Sequence, residues 1–150
     1  MFLNELFSLE GKVAVAVGAG GVLAGEMSRG FAKAGADVVI VDLNPDAANA
    51  RAEEVRAVGR KALACKADVS RKADIQDALK ATLDTFGRVD IVLNAAGINS
   101  GTPFFEIEET EWQRIVDVDL KSVFLACQVF GKQMVEAGKG GSIMNISSVS

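Results

Sequence analysis

Apolar and polar positions along the chain fall into two alternating patterns. Short β-branched runs read as strands buried on both faces, first at Lys12–Val17 (KVAVAV), then at Asp37–Val41 (DVVIV) and Val89–Leu93 (VDIVL). Two weaker runs, Lys61–Lys66 and Ser142–Ile146, predict a third and a fifth strand in chain order. Between them lie stretches with helical spacing. Gly25 to Gly35 predicts a helix closed by Gly35. Asn44 and Pro45 suit the cap and first position of a helix running to Gly59. Ser70 is expected to cap a helix ending near Phe86. Thr110–Ala137 predicts one long helix that buries Trp112, Ile115, Val116, Leu120, Phe124 and Val129.

Strands alternating with helices imply βαβ units and a parallel sheet. With right-handed crossovers the simplest arrangement is strand order 3-2-1-4-5. The expected fold is therefore α/β: a Rossmann-like, doubly wound parallel sheet in three α/β/α layers, with residues 1–150 as one domain. The 150 residues suffice for one real core.

Ligands of such sheets bind at the C-terminal strand ends, and each end carries suggestive residues. After the first strand comes Gly18-Ala19-Gly20-Gly21-Val22-Leu23-Ala24-Gly25. A glycine-rich turn before a helix lets backbone approach a pyrophosphate, or it is simply a tight turn. After the second comes Asp42, placed to accept hydrogen bonds from adenosine ribose hydroxyls and to repel a 2′-phosphate. Asp68-Val69 follows the third: Asp68 can face an adenine amino group, or cap a helix, while Val69 packs on the ring. Asn94-Ala95-Ala96-Gly97 follows the fourth, where small residues admit a cofactor and Asn94 can tie neighbouring strands together. Asn145-Ile146-Ser147-Ser148 follows the fifth and brings a hydroxyl to the edge.

Composition narrows the partners. A net charge of −4 with no basic run argues against nucleic acid. The chain has no histidine, so a zinc site lacks ligands and no metal is expected. Cys65 and Cys127, each in an apolar setting, read as buried free thiols of a reducing, cytoplasmic compartment. MFLNELFSLEGK is not a signal peptide, and no apolar run is long enough for a membrane span.

Together these motifs resemble the short-chain dehydrogenase/reductase family from about Leu9 to Ser150. The resemblance implies NAD, with NADP the lesser choice, and hydride transfer with a small alcohol or ketone. It assigns cofactor contacts to Gly18, Gly20, Gly21, Val22, Leu23, Asp42, Leu43, Asp68, Val69, Asn94, Ala95, Ala96, Gly97 and Ile146, and the catalytic serine to Ser148. Asp119, in Val118-Asp119-Leu120-Lys121-Ser122, stands where the family has an asparagine that helps hold a water serving the catalytic lysine. An aspartate accepts the same bonds but cannot donate. The family's T-G-x-x-x-G-x-G matches only at Gly18. Val17, Val22 and Ala24 replace its other fixed positions, and the Cβ atoms at Val22 and Ala24 leave less room near the phosphates. The glycine variant is similar to that of sugar-acid oxidoreductases acting on mannonate and fructuronate. The family's Y-x-x-x-K acid/base pair has no counterpart, because the chain contains no tyrosine. The expectation is thus an N-terminal part of an enzyme, incomplete at its C-terminus, inactive alone and a homo-oligomer (dimer or tetramer) when complete. A nucleotide-binding module without catalysis is the alternative. A methyltransferase is disfavoured, because its chemistry asks for neither the Asn94 turn nor the serines.

Overall fold

A computed structural model of the chain describes residues 5–148. Val149 and Ser150, at the end of the family resemblance, and the first four residues of MFLNELFSLEGK lie outside the described residues. The elements are β1 (Val13–Val17), α1 (Val22–Lys33), β2 (Asp37–Asp42), α2 (Pro45–Ala57), β3 (Ala62–Lys66), α3 (Lys72–Phe86), β4 (Ile91–Asn94), α4 (Glu109–Val116), α5 (Ser122–Ala137) and β5 (Ser142–Asn145). The five strands form one parallel sheet in the order β3-β2-β1-β4-β5. This is the expected doubly wound arrangement.

The alternation VAVAV in β1 explains how two unlike helical layers fit one sheet. Val13, Val15 and Val17, with Val39 and Val41 of β2, pack with Ile75, Leu125, Val129 and Phe130 of α3 and α5. Ala16, on the other face, packs with Ala24 and Ala32 of α1. Small side chains on both surfaces let α1 lie close to the sheet, and Ser28, fully buried in α1, returns its hydroxyl to Ala24 O at 2.7 Å.

At the N-terminal edge, buried Asp90 accepts from Val13 N at 2.9 Å and from Arg88 Nε at 2.8 Å, joining the starts of β1 and β4. At the opposite edge the ladder continues past the strands. Gly18 N donates to Val41 O at 2.7 Å, Ala95 N to Val17 O at 2.9 Å and Ile146 N to Asn94 O at 2.9 Å. The strand ends thus stand side by side, aligned by parallel register.

Four expectations need correction. The first helix starts at Val22, three residues before Gly25, so Val22 and Leu23 form its first turn. Its cap is Ala34, and Gly35 follows in the left-handed region at φ 111°. Ser70 does not cap α3: Arg71 holds that place without a side-chain bond, and Ser70 turns its hydroxyl to Asp68. The predicted long helix is interrupted by a π-helical turn, Asp117–Lys121, between α4 and α5. Trp112, Leu120 and Phe124, expected inside, are 59%, 68% and 60% exposed, while Leu125, Ala126, Val129 and Phe130 fill the core. The π turn inserts an extra residue and rotates everything after it, so a single stripe cannot run through both helices. Cys65 and Cys127 are free and half-buried, and burial pushes the Cys65 thiol up. Among the described residues no helix is long and apolar enough to cross a membrane.

Candidate active site

The turn after β1 is shaped by two close approaches. Gly18 has φ 75°, and a Cβ there would collide with the Ala96 backbone, so the β1 and β4 turns touch. Gly20 N donates to Asp42 Oδ2 at 2.8 Å, and a Cβ on Gly20 would sit 2.8 Å from Asp42 Cγ and 2.9 Å from Ala47 Cβ. Asp42 Oδ1 accepts from Asn44 N at 2.9 Å. The carboxylate is therefore fixed by one backbone N–H on each oxygen, with lone pairs left for hydroxyl donors.

Helix α1 opens on Gly21 with no capping side chain and no acidic residue in its first turn. By contrast α2 has Asn44 as a cap and Asp46 in its first turn, and α3 has Asp74. An uncapped positive helix end beside closely packed backbone can hold an anion.

Beyond β3, Asp68 accepts from Ser70 N at 3.0 Å and Ser70 Oγ at 2.6 Å, while its own N–H donates to Asp74 Oδ2 at 2.9 Å. The Ser70 hydroxyl is the main cause holding the Asp68 carboxyl below its ordinary range. Beyond β4, Asn94 is buried and donates from Nδ2 to Asn145 Oδ1 at 2.8 Å, across the register pair Asn94–Asn145. Asn94 Oδ1 is buried with no hydrogen-bond partner among the described residues. Leaving such an oxygen bare costs about 1–3 kcal/mol, so this is a place that calls for a donor.

At the other end the π turn carries Asp119, whose Oδ1 accepts from Ile98 N at 2.8 Å. Two adjoining clefts result. One, of about 420 Å³, is lined by Gly18, Gly21, Val22, Leu23, Asp42, Leu43, Asp68, Val69, Ala95, Ala96, Gly97 and Ile146. The second, of about 580 Å³, holds Asp119, Asn99, Ser147 and Ser148. Both share Ala95 to Ile98 and Ile146 as a common wall. Gly20 and Asn94 line neither cleft and act from behind. Apart from those two, the site residues singled out from sequence are brought to one groove along the C-terminal edge of the sheet.

The model of the short chain dehydrogenase family matches residues 12–150. This chain belongs to the short chain dehydrogenase family. It is 39% identical over 147 residues to the short chain dehydrogenase/reductase astE of Aspergillus oryzae, covering 97% of this chain and 56% of that protein. It is 37% identical over 143 residues to a 2-dehydro-3-deoxy-D-gluconate 5-dehydrogenase of Escherichia coli, covering 95% and 56%. A solved 7α-hydroxysteroid dehydrogenase, complexed with NADH and 7-oxo glycochenodeoxycholic acid, superposes with a TM-score of 0.90 at 33% identity, covering 99% of this chain and 57% of that one. The chain spans about half the length of the curated relatives it matches.

Several groups that shape this short chain dehydrogenase groove escaped the sequence reading. Arg51 of α2 crosses under the glycine turn, its Nε 3.4 Å from Gly20 O and its Nη1 on Glu54 at 2.9 and 3.0 Å. A Cβ on Gly25 would lie 2.5 Å from Arg51 Nε, so the guanidinium packs directly over that glycine. Ala67, Ile98 and Val118 line the first cleft, and Asn99 the second. None of these has a local signal, since each is defined by a neighbour distant in sequence.

Proposed function

We propose that the protein is an NAD-dependent oxidoreductase that transfers hydride between nicotinamide and a carbinol or carbonyl carbon of a small substrate. The observation that carries this reading is the continuous groove, with fixed Asp42 at one end and Ser148 beside Asp119 at the other. The uncapped start of α1 and the close backbone packing at Gly18 and Gly20 fit a pyrophosphate between those ends. When bound, nicotinamide supplies or accepts the hydride. Asp42 accepts from the adenosine ribose hydroxyls and repels a 2′-phosphate, which favours NAD over NADP. Asp68 and Val69 hold the adenine. Ser148 orients the substrate oxygen, and Asp119 holds the wall opposite through Ile98.

The substrate class we propose is a polyol or sugar acid, supported by 37% identity to the gluconate-type relative. A cytoplasmic homo-oligomer is the proposed setting. Support for association is the exposure of the apolar side chains Trp112, Leu120 and Phe124. Titration of the protein with NADH and NADPH, read by cofactor fluorescence, tests the nucleotide assignment. Clear preference for NADH supports it, and equal affinity removes Asp42 from the role given it.

A further inference from the structure

Except for Ile146, the wall shared by the two clefts, Ala95 to Ile98, belongs to the segment between β4 and the short 3-10 turn Phe104–Glu106. That segment has no regular structure, and its large apolar neighbours Phe104 and Phe105 are exposed, so they do not anchor it. Carboxylates hold it instead. Ser100 Oγ donates to Glu111 Oε1 at 2.6 Å, and Thr102 Oγ1 donates to Glu111 Oε2 at 2.9 Å and Oε1 at 3.1 Å. Thr102 N donates to Ser100 Oγ at 3.0 Å, which closes the turn on itself. Further along the same helical run, Asp119 takes the Ile98 N–H. The wall is thus stretched between two acids, one in the first turn of α4 and one in the π turn after it.

We infer that Glu111 is a positioning residue of the groove: through Ser100 and Thr102 it sets where Gly97, Ile98 and Asn99 stand against the nicotinamide half of the dinucleotide. This rests on the nucleotide reading above. An ionised carboxylate accepts from both hydroxyls at once, leaving each hydroxyl a further acceptor site. Asp119 alone fixes one point of the loop, which leaves it free to pivot. Glu111 adds the second and third points. Its low carboxyl range has the same origin, with the Ser100 hydroxyl the main cause and Thr102 next. At the adenosine end Asp42 takes its hydrogen bonds from Gly20 and Asn44, and Asp68 from Ser70, so those two carboxylates are anchored apart from Glu111.

The test compares wild type, Glu111→Ala and Glu111→Gln by amide hydrogen exchange and by binding of two probes, NADH and AMP. In Glu111→Ala, exchange across 97–102 rises about tenfold while the sheet strands keep their protection. NADH affinity falls about five- to tenfold and AMP affinity stays unchanged. Glu111→Gln, which keeps length and one acceptor, restores most of both. Unchanged exchange in Glu111→Ala overturns the inference. So does an equal loss of NADH and AMP binding with protection lost throughout the sheet, which marks a merely structural residue. If wild type binds neither probe, the nucleotide reading fails by itself, and the exchange comparison still decides whether Glu111 holds the wall.

Discussion

Asp42 is useful because two backbone N–H groups hold it before any ligand arrives. Each hydrogen bond it could accept from a ribose hydroxyl is charge-assisted and contributes about 1.5–3 kcal/mol. Replacing it with asparagine should weaken NAD binding about tenfold or more and narrow the gap to NADP, as measured by parallel titrations. Gly20→Ala should do nearly the same, since the added methyl displaces the carboxylate. A different carboxylate governs stability. Burial acts to raise the Asp90 carboxyl, but the Arg88 guanidinium and the Val13 N–H outweigh it, and the group lies below its ordinary range. The stabilisation from a lowered carboxyl is present above the unfolded value near pH 4 and disappears as pH falls through the folded value. Asp90→Asn should therefore cost about 2 kcal/mol at neutral pH, with a difference from wild type that shrinks in acid. Urea unfolding at several pH values measures it, and a constant difference would assign the effect to packing.

Helix boundaries show where local chemistry suffices and where it fails. Asn44 was legible as a cap because the whole motif is local: its Oδ1 accepts from Asp46 N at 3.0 Å and Ala47 N at 3.3 Å. Asn44→Ala should cost about 1 kcal/mol, seen as a lower thermal midpoint, with little effect if α2 is held by packing alone. Ser70 looked equally suited to capping, yet the Asp68 carboxylate was the stronger partner. The run from α4 into α5 misled for another reason. Mixed three- and four-residue spacing suggests one buried stripe, whereas the structure breaks that stripe at a π turn. That turn is also what presents Asp119 to Ile98.

For the whole molecule, the apolar side chains left outside matter as much as the core. Trp112, Leu120 and Phe124 should support association between copies. Leu120→Ser with Phe124→Ser should lower the sedimentation coefficient of any oligomer at fixed protein concentration. Unchanged sedimentation would show that the exposed run has no part in assembly.

The alternation of buried runs and helical spacing determined the parallel sheet and which residues stand at the strand ends, because periodicity and turn chemistry are written into neighbouring positions, and the right-handed crossover rule made 3-2-1-4-5 the simplest strand order. The tertiary structure alone decided the bonds across the groove. Gly20 meets Asp42 at a separation of 22 residues, Gly20 meets Arg51 at 31 and Asn94 meets Asn145 at 51. It also decided that Glu111 reaches back to Ser100 and that Trp112 faces outward. Such pairings follow from parallel register and from the phase of helices against the sheet, and no local pattern encodes either.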